Sequence, residues 1–364
     1  MAARAAVVVV IAAVAACGGG GGAPAAVAPA APLPAGTERL LAMLPQGAQI
    51  IVEVDLARLR GNPVIGAAVT RALTEPPAPA AATTPAAVWL RGVLRGRPSD
   101  DAPAAAAPSS PLAVADQVVL AAYGVGTADA ATLTLLAAPR EVPGATRIAD
   151  GAYAVGPPEW VEQVEQRVAL ATTGEARFAI RPAPELLELR AHAMPAAAPG
   201  ASLRITARLS FDARIALARQ TGIDTPPAQL SAWGDVVDDL ALVIDCDAAD
   251  PGSAPAGRST GGPAGGRRSD PTHRLAGALR AMLATLAELP AVRALGLPPS
   301  LTGARLIARG TWVRAIIAVG PEHLRRIAAR AAGLLDPAPA APSAPAAPPD
   351  AVPASPDSRG APPS

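Results

Sequence analysis

Histidine and aspartate are the residues of this chain that could supply acid–base or metal chemistry. The three histidines are His192, His273 and His323, and none belongs to an HxH or HExxH motif. An acidic cluster between residues 235 and 250 consists of Asp235, Asp238, Asp239, Asp245, Asp247 and Asp250. A calcium loop needs such oxygen ligands around a glycine pivot, whereas a predicted strand interrupts this run. We therefore expect no metal site, and interpret the histidines as surface or capping residues and the aspartates as a solvated face.

Motifs for nucleophilic catalysis and phosphate binding are missing from the sequence. There is no G-x-S-x-G or S-x-x-K motif, and the chain has no lysine to complete a phosphate loop. The glycine-rich stretch at 261–268 lacks the strand and helix that would frame such a loop. The formal net charge of +1 creates no field that favours nucleic acid. We predict no catalytic residue, no cofactor and no nucleic-acid partner.

The amino terminus carries a pattern with a defined chemistry. Arg4 precedes an uninterrupted apolar run over residues 5–16. A membrane-spanning helix needs about 20 apolar residues, whereas the apolar core of a signal peptide needs roughly 7–15 after a positive segment. Five glycines at 18–22 follow at once and end any helix. We therefore predict that residues 1–16 are a signal peptide, which is removed from the mature protein.

The end of this run, Val14-Ala15-Ala16-Cys17, resembles the lipobox of bacterial lipoproteins. The resemblance implies a diacylglyceryl group on the Cys17 sulfur, cleavage between Ala16 and Cys17, and acylation of the new amino group. Two or more acyl chains anchor a protein stably without a spanning helix, so membrane lipid is the expected partner of Cys17. Gly18, where retained lipoproteins have aspartate, implies the outer membrane. An ordinary secretory signal and a retained anchor are the alternatives.

Cys246 is the other cysteine of the chain. If Cys17 is acylated, Cys246 has no partner for a disulfide. Its neighbours on the same face of a predicted strand are Leu240, Leu242 and Ile244. We therefore predict a buried structural thiol.

The 42 prolines and 33 glycines are concentrated in low-complexity runs that divide the rest of the chain. The predicted segments, in chain order, are the tether 17–36, a first module 37–175 with a low-complexity insertion at 74–113, a second module 176–335 with a flexible loop at 248–270, and a disordered Pro/Ala-rich tail 336–364.

Hydrophobic patterning predicts an α+β fold, with two related modules of mostly antiparallel sheet covered by helices. In residues 50–56, apolar side chains alternate with Glu53 and Asp55, which predicts a half-buried strand. In residues 202–211, Ser202, Arg204 and Thr206 form a wet face opposite an apolar face, as in an antiparallel sheet. Further strands are predicted at 117–123, 131–138, 147–155, 239–246, 303–309 and 311–319, and helices at 63–73, 158–171, 185–192, 213–220, 228–233, 272–289 and 321–335.

Arginines are predicted on the open face of the second sheet. They are Arg204, Arg208, Arg305, Arg309 and Arg314. Two interpretations remain open, a docking surface for anionic headgroups or glycans and an ordinary solvated face.

A short internal echo links the two modules. AVGPPE at 154–159 and AVGPE at 318–322 each end a predicted strand and begin a helix, and glycine, proline and glutamate suit that junction. Related modules and convergent turn chemistry both explain the echo. The segment from Leu44 to Leu59 is also similar to the opening of uncharacterised exported bacterial proteins with an LP…VVxVDLxxL pattern, which implies repeated α+β modules and no particular activity.

These observations favour a membrane-anchored cell-envelope lipoprotein with a non-catalytic structural or binding role. Its partners would be membrane lipid, through acylated Cys17, and envelope proteins. An envelope hydrolase and an accessory subunit of a secretion or polymer-export machine are the alternatives. The hydrolase would require His192 or His273 to meet the aspartates at 235–239 in a deep pocket, and a binding role would require an exposed apolar patch.

Overall fold

The computed structural model describes six stretches of the chain: residues 35–74, 111–172, 184–193, 200–221, 226–248 and 270–335. The predicted signal peptide, Cys17 and nearly all of its tether lie outside these stretches, as do the tail and most of the two low-complexity segments. Asp250 and the glycine-rich stretch at 261–268 also lie outside them. In the stretches that are described, no helix combines the length and apolar character needed to cross a bilayer.

The described residues form a ten-stranded, fully antiparallel sheet. The strands are β1 Ile50–Asp55, β2 Gln117–Tyr123, β3 Ala131–Ala137, β4 Thr146–Ala149, β5 Ala152–Val155, β6 Leu203–Arg208, β7 Gln229–Val236, β8 Leu240–Asp247, β9 Arg305–Arg309 and β10 Trp312–Val319. Their order across the sheet is β4-β5-β3-β2-β1-β6-β7-β8-β10-β9.

Helices cover both faces of this sheet, and the α+β prediction is confirmed. The helices in the described stretches are α1 Ala35–Met43, α2 Leu56–Arg60, α3 Gly66–Thr74, α4 Pro111–Val114, α5 Pro158–Thr172, α6 Pro184–His192, α7 Phe211–Thr221, α8 Pro271–Ala287, α9 Pro290–Leu295, α10 Pro298–Thr302 and α11 Pro321–Leu335. Proline opens seven of these eleven helices, because its fixed φ suits the first helical position and its missing N–H costs nothing there.

The two halves of the sheet repeat one topology. Counted outward from the centre, the first half runs β1, β2, β3, β5, β4 and the second runs β6, β7, β8, β10, β9. β1 and β6 are the central strands and pair with each other. The echoed sequences leave topologically equivalent strands, β5 and β10. The two predicted modules therefore share one continuous sheet, through the β1–β6 pair.

Successive residues of the strands point to opposite faces of the sheet and pack into two separate cores. Val52 and Val118 belong to a core beneath α2, α3 and the helices α8 to α11, on what we call the first face. Ile51 and Val119, their chain neighbours, belong to a core beneath α1 and α5 on the second face. Both faces of the central strands are covered, so the prediction of a half-buried β1 is wrong.

The last helices of the two halves lie on different faces. Val161 and Val164 of α5 pack into the second-face core, whereas Leu324 and Ile327 of α11 pack into the first-face core. α11 lies next to α9 and α3 there. The second face of the second half therefore receives a different cover, which is α6.

Two predicted elements take another form. The strand predicted at 147–155 is the hairpin β4–β5, with Gly151 at φ +63° in the turn, a conformation that Asp-Gly turns favour. The helix predicted at 228–233 is strand β7, which gains hydrogen bonds from β6 on one side and β8 on the other. The strand predicted at 202–211 ends at Arg208, and Phe211 begins α7 with 72% of its surface exposed.

The wet face predicted for β6 is also wrong. Ser202, Arg204 and Thr206 are 1%, 4% and 2% exposed. They lie on the second face, next to α6, which contacts both β6 and β7. Polar side chains tolerate such burial when they are paired. The partners of Ser202 and Arg204 form the site described next, whereas Thr206 Oγ1 has no hydrogen-bond partner among the described residues.

Candidate functional site

The centre of the sheet carries a buried ion-pair cluster on its second face. Glu53 of β1, Arg190 of α6 and Arg204 of β6 are 4%, 6% and 4% exposed. Arg190 donates two hydrogen bonds to Glu53, from Nε to Oε1 and from Nη2 to Oε2, each at 2.7 Å. Arg204 Nη1 lies 4.0 Å from Glu53 Oε2. We call these three residues the Glu53 cluster.

The fold brings the members of the Glu53 cluster together from both halves of the chain. β1 and β6 pair so that Glu53 is opposite Arg204, and opposite residues share a face at close range. The last turn of α6 places Arg190 over them. Glu38 of α1 adds a second carboxylate, whose Oε1 lies 3.8 Å from Arg190 Nη1. Two guanidinium groups thus face two carboxylates, and their charges balance.

The surroundings of Arg204 in the Glu53 cluster lower its pKa. Burial lowers this pKa, and the neighbouring Arg190 lowers it further. This lowering of the pKa is opposed by the carboxylates of Glu53, Glu38 and Asp235. Arginine is not deprotonated in proteins near neutral pH, so the Glu53 cluster contains two guanidinium cations. The cluster therefore works as a charged link between the two halves of the sheet.

A second ion pair joins the halves at the edge of α2. Arg58 donates from Nε and Nη2 to the two carboxylate oxygens of Asp235 on β7, at 2.7 Å and 2.6 Å. Ser202 Oγ donates to Asp235 Oδ1 at 2.9 Å. The Arg58 side chain is 40% exposed and that of Asp235 is 13% exposed, so water screens this link more than it screens the Glu53 cluster.

Asn62 provides a third link between the two halves and also caps the start of a helix. Its Oδ1 accepts hydrogen bonds from the backbone N–H of Val64 and Ile65, at 2.9 Å and 3.0 Å, just before α3. Its Nδ2 donates to the carbonyl oxygens of Val236 and Val237, at 3.2 Å and 2.7 Å. One buried amide therefore holds the start of α3 against the end of β7.

His192, at the end of α6, is the histidine that folding brings against a buried aspartate. Its Nδ1 lies 2.9 Å from Asp245 Oδ2, and its ring stacks on Trp312 with centroids 3.8 Å apart. Arg314 donates to both oxygens of Asp245, at 2.8 Å and 2.6 Å. These hydrogen bonds raise the pKa of Arg314. The partner is Asp245, and not the aspartates at 235–239.

A histidine fixed by a carboxylate is one part of a hydrolytic triad, and the other part is a nucleophile. His192 keeps 38% of its side chain exposed, whereas that of Asp245 is 2% exposed. Within the described stretches, no serine, threonine or cysteine side chain is hydrogen-bonded to the His192 ring. The geometry shows an oriented imidazole beside Trp312, an arrangement suited to holding α6 against β8 and β10.

The remaining predicted histidines and aspartates are scattered. His273 is exposed at the start of α8, beside Asp270. His323 lies on α11, with Nε2 at 2.7 Å from the carbonyl oxygen of Gly296. Asp238 is exposed at the β7–β8 turn. In the part of the chain that the structure describes, no three His, Cys, Asp or Glu residues are grouped so that they could hold a metal ion.

Cys246 is a free, buried thiol on the first face of β8, as predicted. It packs with Leu275 and Leu279 of α8 and with Val313 of β10. Burial raises the pKa of Cys246 from 9.0 to about 12, and the nearby charges of Asp245 and Asp247 act in the same direction. The thiol therefore stays protonated, and unreactive, at neutral pH.

The five arginines predicted on one open face have separate environments. Arg204 is buried in the Glu53 cluster, and Arg314 is paired with Asp245. Arg208, Arg305 and Arg309 are exposed. Burial beneath α6 removes Arg204 from the set and the ion pair with Asp245 occupies Arg314, so the structure does not support one open surface made of all five.

Sequence reasoning missed Glu53, Arg190 and Arg58 as members of interacting pairs. A signal existed for Glu53, because it is a single acid between Val52 and Val54 in a strand flanked by apolar residues on both sides. A charge at such a position either faces water or is paired, and only the three-dimensional structure supplies the partner.

Comparisons with known proteins do not assign this chain to a family. No family model matches the chain, and no curated protein matches it. Among solved structures, one described as crystal form I of TP0453 aligns with a TM-score of 0.34 and 7% sequence identity, over 80% of this chain and 96% of that chain. A likeness of that size assigns no function.

Proposed function

We propose that this protein is a cell-envelope lipoprotein, held at the outer membrane by acyl chains on Cys17, with a non-catalytic structural or binding role. The observation that carries the proposal is Val14-Ala15-Ala16-Cys17, at the end of the apolar run over residues 5–16. The sulfur of Cys17 is the nucleophile for thioether formation, and the small residues before it let the backbone enter a peptidase groove.

The charges of the folded body support a structural or binding role. Glu53, Asp235 and Asp245 each accept two hydrogen bonds from one arginine. A general base has to accept a proton from a substrate, and an arginine held in this way competes with that task. These carboxylates hold elements of the fold together.

The spacing between Cys17 and the folded body is compatible with work close to a membrane. Residues 18–34 separate Cys17 from Ala35, where α1 begins. A fully extended chain of that length reaches at most roughly 60 Å, which sets an upper limit on the distance between Cys17 and Ala35. The folded body would then be close enough to the bilayer to meet lipid headgroups or neighbouring envelope proteins.

Substitution of each cysteine in turn tests the anchor. In a bacterial host that acylates lipoproteins, Cys17→Ala is expected to abolish incorporation of labelled palmitate and to move the protein out of the membrane fraction. Cys246→Ala is the matched control, because it removes the other cysteine and is expected to keep both the label and the membrane fractionation. The proposal is wrong if the wild-type protein takes up no label, or if Cys17→Ala still fractionates with membranes.

A further inference from the structure

A cavity of about 530 Å³ opens between α11 and the turn that joins α9 to α10. Three arginines line it, Arg293, Arg326 and Arg330, together with His323 and the turn at Gly296. None of these residues takes part in the links between the two halves of the sheet. Cavities of 300–1,000 Å³ are the usual size for small-molecule sites.

The sequence of α11 directs its cationic side chains at this cavity. His323, Arg326 and Arg330 are spaced by three and four residues, so they lie on one stripe of the helix. The adjacent stripe contains Leu324 and Ile327, which are 0% and 3% exposed and fix the helix on the first-face core. The rotation of α11 is therefore set by its apolar residues, and the cationic stripe follows from it.

Gly296 makes room for Arg330 in the floor of the cavity. It adopts φ +78°, the left-handed conformation that glycine favours, and ends α9. A Cβ on residue 296 would overlap Arg330 Nη1. The Gly296 carbonyl oxygen also faces His323 Nε2 at 2.7 Å. The α9–α10 turn and α11 are thus held together, and the Arg330 guanidinium lies against the backbone of Gly296.

The charge in the cavity is not balanced by the described residues. Arg293 forms an ion pair with Glu288. Across the described ranges, no carboxylate lies within ion-pair distance of Arg326 or Arg330. Like charges four residues apart on a helix repel each other. An anion between them would relieve that repulsion.

We propose that this cavity binds a phosphoryl group, carried either by a soluble phosphate ester or by a lipid headgroup. Guanidinium groups match phosphate oxygens with paired hydrogen bonds, and are the preferred side chains for that recognition. Arg326 and Arg330 are the primary ligands, and Arg293 stands at the rim. Pro298 and Pro299 give the ligand a rigid apolar wall. This site does not depend on the membrane anchor.

Calorimetric titration of the Cys17→Ala protein with inorganic phosphate and with pyrophosphate tests the site. The double variant Arg326→Gln/Arg330→Gln is expected to bind pyrophosphate at least about tenfold more weakly, because each lost charged hydrogen bond weakens binding by about that factor. Arg325→Gln is the control: Arg325 is exposed on the same helix, outside the cavity, and its loss removes one positive charge where the double variant removes two. Its pyrophosphate affinity should stay within about twofold.

Gly296→Ala provides a second variant that keeps every arginine. The added Cβ makes the Arg330 side chain shift and also strains the turn at φ +78°, so pyrophosphate affinity should fall in a protein that is somewhat less stable to urea but keeps its circular dichroism spectrum. The proposal is overturned if wild-type protein shows no saturable binding at millimolar pyrophosphate. It is also overturned if Arg325→Gln weakens binding as much as the double variant does.

Vesicle flotation distinguishes the two sources of phosphate. Vesicles of phosphatidylcholine are compared with vesicles that also contain phosphatidic acid, again with Cys17→Ala protein. Flotation that needs phosphatidic acid and is lost in Arg326→Gln/Arg330→Gln assigns the site to a lipid headgroup. Pyrophosphate binding without such flotation assigns it to a soluble phosphate ester.

Discussion

Removal of the Glu53 carboxylate is the perturbation that tests most directly how the two halves of the sheet are joined. Glu53→Gln keeps the size of the side chain and deletes its charge. Arg190 then loses one of its two hydrogen bonds of 2.7 Å, because the amide nitrogen cannot accept, and the carboxylate left near it is Glu38 at 3.8 Å, whose side chain is 41% exposed. Arg204, 4% exposed, loses the Glu53 carboxylate as well.

The expected cost follows from this burial. Removing one partner of a buried pair leaves an uncompensated charge and typically costs about 3–5 kcal/mol. An exposed pair contributes about 0–1 kcal/mol, and Arg147–Asp150, with side chains 65% and 96% exposed, is such a pair in the same chain. Glu53→Gln should therefore lower the free energy of unfolding by about 3 kcal/mol or more, and Arg147→Ala by less than about 1 kcal/mol.

Equilibrium unfolding in urea at pH 7, followed by tryptophan fluorescence, measures both values. Trp233 is 8% exposed on the same face of the sheet and reports on this region. The double variant Glu53→Met/Arg190→Met removes both partners, and should be more stable than Glu53→Gln because fewer buried charges stay unpaired. The reasoning is refuted if Glu53→Gln costs no more than Arg147→Ala, or if the double variant is the less stable one.

Two further predictions concern single polar atoms. Asn62→Ala should cost about 2–4 kcal/mol in urea unfolding, since it removes a cap and the two hydrogen bonds to Val236 and Val237. Asn62→Ser keeps a capping oxygen and loses only the donor, so a cost near zero for Asn62→Ser would contradict the linking role. For Cys246, with its pKa raised from 9.0 to about 12, thiol labelling at pH 8 in a Cys17→Ala protein should be at least about 100-fold slower when folded than in urea. Labelling of the folded protein as fast as that of the unfolded protein would exclude a buried thiol. Because the Cys246 pKa is higher in the folded state, the contribution of this thiol to stability is lost as the pH rises from 9.0 towards about 12.

Local patterning was sufficient for the elements whose signals lie within a few residues. β2 Gln117–Tyr123 and α11 Pro321–Leu335 have the predicted bounds, and the hairpin of β9 and β10 is confirmed. At 228–233 the sequence pattern predicts a short helix, whereas the structure has β7 there. It is a strand because β6 and β8 supply hydrogen bonds on both sides, and no local window contains that information.

The site was less predictable for the same physical reason. Glu53 and Arg190 are separated by 137 positions in the sequence, so their pairing follows from sheet order rather than from spacing. Alternation in β6 correctly separated Arg204 from its apolar neighbours, yet it could not show that α6 covers the polar side. Burial of a polar face depends on which helix packs there, and the opposite placement of α5 and α11 was not encoded in the echoed AVGPPE and AVGPE turns.

The pairing of β1 with β6 has a consequence for how the chain relates to symmetric assemblies. Equivalent strands that run antiparallel across a central line are what two identical subunits present to each other at a two-fold axis. Here one polypeptide contains both sides of that contact. Covalent linkage replaces a concentration-dependent association by an intramolecular one, so the two halves stay paired at any dilution. It also removes the requirement that the two sides be identical, and the last helices of the two halves indeed lie on different faces of the sheet.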